Sequence, residues 1–93
     1  VDAIGSPIVQ PEMFSLAKRL LDGSLVVDVG DIAESVRNLV KSNYVIAEGG
    51  GAVSVAAAQN GKAGLGKIAC VVSGGNIDFT KLSDILIGKI PEL

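Results

Sequence analysis

Ninety-three residues with a formal net charge of -2, 48% apolar but only 3% aromatic, describe one small domain with a modest aliphatic core. No basic stripe is present to neutralise phosphates, which excludes a nucleic-acid surface, and no run of about 18 apolar residues predicts a membrane span. With no histidine and one cysteine, the chain cannot by itself build a zinc site or a Ser-His-Asp triad.

The opening Val1-Asp2 has neither the basic nor the hydrophobic character of a signal peptide. It is not a Met start, so a fragment or a processed product is expected. Pro7 and Pro11 bracket an irregular lead-in. A helix is predicted over about Pro11 to Leu21, with Pro11 and Glu12 in its first turn, Met13, Leu16, Ala17 and Leu20 at helical spacing, and Gly23 behind it. Leu25 to Val29 is short, β-branched and bounded by glycines, which predicts a strand.

A second helix is expected behind an Asp31 cap. Glu34 lies three residues on, as in a capping box, and Ile32, Val36, Leu39 and Val40 form the buried stripe. Ser42-Asn43 ends it, and Tyr44 to Ala47 is a second strand candidate. The turn Glu48-Gly49-Gly50-Gly51 precedes an alanine-rich helix over Ala52 to Ala58, stopped by Asn60-Gly61. Lys62 to Gly66 reads as a loop. Ile68 to Val72 lacks polar alternation, which predicts a central strand buried on both faces. Asp78 can cap a last helix carrying Leu82, Ile85 and Leu86, ended by Gly88 and Pro91. This alternation of helices and strands predicts an α/β fold with parallel strands, as one domain or one piece of a domain over residues 1–93. The lone Cys70, mid-strand in this scheme, reads as a small buried hydrophobe, and a chain without a disulfide suits a reducing, cytoplasmic setting.

In such a sheet, ligands bind beyond the carboxyl ends of the strands. Both glycine segments, Glu48 to Gly51 and Ser73 to Asn76, fall at such ends. Glycines there let backbone approach a ligand, and N–H groups at a helix start can face an anion. The same glycines can instead serve only to pack a helix tightly. Glu48 can be a solvated side chain, and Ser73 a helix-capping hydroxyl. Neither segment carries the phosphate-loop or dinucleotide pattern.

Taken together, "AEGGGAVSVAAAQNGK" and "KIACVVSGGNID" resemble the carboxy-terminal part of the catalytic region of the threonine and serine dehydratases. These are pyridoxal-phosphate enzymes of the tryptophan-synthase-β type, the family that includes serine racemase. "VDAIGSP" resembles that family's Asp-Gly-Ile segment, and "VVDVGDIAESVRNLV" its strand followed by an acidic-capped helix. The resemblance implies that Ser73 hydrogen-bonds the pyridine nitrogen of pyridoxal phosphate, that Glu48 stands at the cofactor's edge, and that Gly49 and Gly74 carry backbone close to the ring. Ala3 stands where the family usually has Gly. A neutral hydroxyl at the pyridine nitrogen, unlike a carboxylate, does not hold a proton there. The weaker electron sink suits β-elimination of water from threonine or serine, giving a 2-oxo acid and ammonia.

The family's Schiff-base lysine, its main phosphate loop and its substrate-carboxylate loop belong to a region nearer the amino terminus. Lys62, Lys67 and Lys81 do not match the lysine motif. The resemblance therefore implies a chain inactive alone, partnered by the amino-terminal remainder of a homo-oligomeric enzyme that acts on a small amino acid. The competing expectation is a non-catalytic standalone α/β module without the cofactor. A small-molecule regulatory domain fits less well, because its strands would alternate in polarity and Ile68 to Val72 does not.

Overall fold

Proline sets φ for a first helical turn at a position whose N–H needs no partner. In the computed structural model of the chain, helix α1 spans Pro11–Leu20, with Glu12 in its first turn and Lys18 and Arg19 in its last, each complementing the helix dipole. The structure describes residues 1–2 and 4–93, so Ala3 lies outside the described residues. The apolar residues of α1 recur at helical spacing as expected, yet none is buried and α1 packs on no other helix among the described residues.

Helix α2 spans Val29–Asn43. It starts two residues before the expected cap. Asp28 holds the cap position, and its carbonyl accepts the Ile32 N–H at 3.1 Å. Asp31 lies instead in the first turn, where its Oδ2 accepts a hydrogen bond from Asn60 Nδ2 at 3.2 Å. The expected Asp31–Glu34 capping box is therefore not formed. Ile32, Val36 and Leu39 are buried as the spacing predicts, and Val40 packs half-buried beside them.

The end of α2 carries strain. Tyr44 sits in the left-handed region at φ 56, donating its N–H to Val40 O at 3.1 Å, while Val45 N–H reaches Leu39 O at 3.1 Å. A bulky residue there costs about 1–2 kcal/mol, and Asn tolerates the conformation far better. The ring is 90% exposed and contributes little packing. Tyr44→Asn is therefore expected to stabilise the chain by about 0.5–1 kcal/mol, read as a rise in the urea midpoint at constant slope.

Helix α3 spans Gly49–Gln59, so the three glycines form its first turn and not a loop ahead of it. Glu48 is the N-cap residue, and its carbonyl accepts the Ala52 N–H at 3.0 Å. Small residues let α3 lie close against α2: Gly49, Gly51, Ala52 and Ala56 are all buried. Buried Ser35 of α2 donates to Gln59 Oε1 at 3.0 Å, which satisfies its hydroxyl inside the interface. The helix stops at Asn60-Gly61 as expected, with Gly61 at φ 84.

Helix α4 spans Phe79–Leu86 behind Asp78, the expected cap position, although the Asp78 side chain makes no capping hydrogen bond. Leu82 and Ile85 are buried, while Leu86 stays exposed. Arg37 of α2 donates its Nε to Ile85 O at 2.8 Å and so ties α2 to the carboxyl end of α4. The core is one cluster of Ala33, Val36, Leu39, Ala47, Ala52, Leu82 and Ile85, with Ile77 and Leu93 packed half-buried at its edge.

The expected α/β fold is not what forms. The described residues contain four helices and no strand. A strand exists through its ladder of hydrogen bonds to a neighbour, and β-branched composition favours extension without supplying that neighbour. Carbonyls of the expected strands go to side chains instead. Lys62 Nζ donates to Val26 O at 2.6 Å, and Ser54 Oγ donates to Val71 O at 2.8 Å. Val29, the last residue of the first expected strand, opens α2. Ile68 to Val72, expected to be buried on both faces, leaves Val71 79% exposed, with Cys70 half-buried.

Candidate functional site

Two helices begin side by side at one end of the core, and their starts frame a small open cleft. Glu48 and Gly49 open α3 on one side, and Asn76 and Asp78 lead into α4 on the other. Lys81 and Asp2 close the cleft toward the amino terminus. The two glycine segments singled out in the sequence meet here. Glu48 N–H donates to Gly74 O at 2.9 Å, the bond that fixes the start of α3 on the Ser73–Asn76 segment.

The glycines are the condition for that contact. A Cβ on Gly51 would lie 2.3 Å from Gly74 O and 2.8 Å from Gly74 N. A Cβ on Gly75 would lie 2.6 Å from Ile46 O, and one on Gly74 would lie 2.5 Å from Glu48 Oε1. Gly49 is buried against Val1 and Ile32, where a Cβ would come 3.1 Å from Val1 Cγ1. Each of these positions is thus occupied by the chain itself. The glycines thus allow close packing of α3 on this segment.

Of the expected site residues, Glu48, Gly49 and Gly74 are brought together. The Glu48 side chain, half-buried, lies along Gly74. Ser73 adjoins Gly74 in sequence but is exposed, and its hydroxyl makes none of the side-chain hydrogen bonds found among the described residues. It is not a helix cap, since α4 starts at Phe79 behind Asp78. An exposed hydroxyl without an internal partner is free to make one hydrogen bond to a ligand. Ala3 lies outside the described residues.

Sequence reasoning missed Asp2 and Lys81 as members of this cleft. Their side chains form an ion pair across almost the whole length of the chain. Only tertiary proximity reveals it, because nothing in the local pattern of either residue marks the other. The Lys81 hydrogen bond and charge hold the Asp2 carboxyl below the usual carboxylate range, and the Asp2 hydrogen bond raises Lys81. A carboxylate lowered on folding contributes stability above its ordinary titration range and loses it as pH falls through the lowered value. Asp2 is exposed and Lys81 only half-buried, so the contribution is small. Lys81→Met is expected to return the Asp2 titration, followed by NMR, to higher pH. An unchanged Asp2 curve would show that the pair does not form in solution.

Among the described residues no group of three or more His, Cys, Asp or Glu could hold a metal ion, and no helix is long and apolar enough to cross a membrane. No protein-family model matches the chain. No solved structure matches it. Curated proteins do. The L-threonine ammonia-lyase of Thermotoga maritima is 40% identical over 74 residues, covering 78% of this chain and 18% of that enzyme. The biosynthetic L-threonine dehydratase IlvA of Staphylococcus aureus strain bovine RF122 is 35% identical over 74 residues, covering 77% of this chain and 18% of that protein. Most of this chain is therefore similar to threonine dehydratases. It spans about 18% of the length of the curated relatives it matches.

Proposed function

We propose that this chain forms one side of the cofactor site of a pyridoxal-phosphate-dependent threonine or serine dehydratase, a homo-oligomeric and cytoplasmic enzyme whose Schiff-base lysine lies in a separate amino-terminal portion. The observation that carries this reading is the 40% identity to L-threonine ammonia-lyase over 74 residues. The position of Glu48 and Gly49 on the cleft, with Gly74 hydrogen-bonded to Glu48 and Ser73 exposed beside it in sequence, supports it.

In this reading pyridoxal phosphate supplies an electron sink conjugated to the substrate's α-carbon. Ser73 provides a neutral hydroxyl at the pyridine nitrogen. It orients the ring by a hydrogen bond and leaves the nitrogen without a carboxylate to hold a proton there. Glu48 stands at the ring's edge, with its backbone fixed to Gly74 and its side chain along that glycine. Gly49 opens α3 at the same place, and Ala3 belongs to the segment that would pass the ring in the family pattern.

The lysine that would bind the cofactor covalently has no counterpart here. Lys62 is engaged with Val26 O and Lys81 with Asp2. The chain mixed with pyridoxal phosphate and threonine is accordingly expected to release no 2-oxobutanoate. Turnover by the chain alone would overturn the division of the site between two portions.

A further inference from the structure

The first turn of the chain lies over the cleft at the start of α3 and is fastened there at two points. One is apolar. Val1, half-buried, covers the buried Gly49, with Val1 Cγ1 3.1 Å and Ile32 Cγ2 3.5 Å from where a Gly49 Cβ would stand. The other is the Asp2–Lys81 ion pair, which reaches across to α4. Ile4 N–H closes the turn on Val1 O at 3.0 Å. Nothing further along secures it. Residues 4–16 are all exposed, and α1 packs on no other helix among the described residues. Among those residues, Asp2–Lys81 is the one hydrogen bond from this segment to any helix but α1. Beneath the turn the cleft holds about 60 Å³. That is less than half of the roughly 150 Å³ that a benzene ring occupies in a protein interior.

We propose that this turn is a releasable strap: the Asp2–Lys81 pair latches it over Glu48 and Gly49, and the cleft admits a ring-sized molecule when the latch is open. An exposed ion pair is weak, and a latch that must open has to be weak. Its release strands no charge. The Asp2 side chain is already 76% exposed and returns to water with little change. Besides the Asp2 hydrogen bond, the charges of Asp2, Asp78 and Glu92 all favour the Lys81 ammonium, so two carboxylates remain near it when Asp2 leaves. Gly49 is what changes most, because Val1 moves with the turn and uncovers it. The strap does not depend on the enzymatic reading, which concerns only what enters the cleft.

Broadening of amide NMR signals by the soluble ring nitroxide TEMPOL, on the full 93-residue chain, tests it without any assumption about the ligand. At low salt the Gly49 amide should be shielded. Lys81→Met and Asp2→Asn should each raise its broadening about two- to fivefold, the ratio that an exposed ion pair commands. The buried Val36 and Leu39 amides should not change. Lys81→Arg keeps the charge and should keep the shielding. Raising salt from about 0.01 to 1 M should open the strap in the unchanged chain and add nothing in Lys81→Met. Equal broadening at Gly49 in the unchanged chain and in both variants would overturn the proposal. So would a Gly49 amide broadened in the unchanged chain as strongly as that of exposed Gly61. A rise shared by Val36 and Leu39 would assign the pair to general stability and overturn it likewise.

Discussion

Gly51→Ala is expected to destabilise the chain by about 2 kcal/mol or more, against the direction that helix propensity alone gives. Exchanging Gly for Ala inside a helix normally gains about 1 kcal/mol. At Gly51 the new methyl would sit 2.3 Å from Gly74 O and 2.8 Å from Gly74 N. Both are backbone atoms and cannot rotate away. The start of α3 must lift from the Ser73–Asn76 segment and lengthen the 2.9 Å Glu48–Gly74 hydrogen bond. Overpacking of this kind costs about 1–3 kcal/mol, and the weakened hydrogen bond adds about 1 kcal/mol. Neighbouring glycines supply the control. Gly75→Ala also meets backbone, at Ile46 O, and should be similarly costly. Gly74→Ala meets only the tip of the Glu48 side chain, which can swing aside, and should cost much less. Urea midpoints of the three variants check the order. Equal midpoints for Gly51→Ala and Gly74→Ala would show that the two segments are not packed as described.

The second large effect belongs to Ile85. Its side chain is among the largest fully buried in the chain, and it joins α4 to the α2–α3 pair. Truncation to Ala in such a site costs about 2–5 kcal/mol, the lost transfer free energy plus a cavity that neighbours fill only in part. A domain of this size has roughly 5–15 kcal/mol of stability in all. Ile85→Ala should therefore take away a major share of it, with α4 detaching first, because among the described residues α4 packs on no helix but α2. Hydrogen exchange should report loss of protection over Phe79–Leu86 before α2 and α3. Uniform loss across all helices would mean that α4 is part of a single cooperative unit.

The helices were legible in the sequence because their evidence is local. Pro11, the Ile32–Val36–Leu39 stripe, the Asn60-Gly61 stop and the Leu82–Ile85 pair each act within a turn or two of where they stand. The sheet was misread for the opposite reason. Leu25 to Val29, Tyr44 to Ala47 and Ile68 to Val72 have strand composition, but pairing depends on partners far away, and here Lys62 and Ser54 take the carbonyls at Val26 and Val71. The α3 boundary was missed because glycine scores poorly as a helix former, while the close approach of Gly74 requires it at Gly51 whatever its propensity. In the site, both glycine segments were expected at the ends of strands that do not form, and what joins them is the Glu48–Gly74 hydrogen bond. The Asp2–Lys81 pair left no local trace.

The most direct test is an exchange. In the Thermotoga maritima L-threonine ammonia-lyase, the 74-residue stretch that matches this chain is replaced by the chain's own residues, and 2-oxobutanoate release from threonine is measured with Ser73 intact and as Ser73→Ala. The proposed role of Ser73 predicts an active hybrid whose kcat falls about tenfold or more in the Ser73→Ala form, while bound cofactor absorbance is kept, as expected for the loss of one hydrogen bond that acts on the reacting system. A hybrid that folds and holds the cofactor but turns over at the same rate with Ser73→Ala would contradict it.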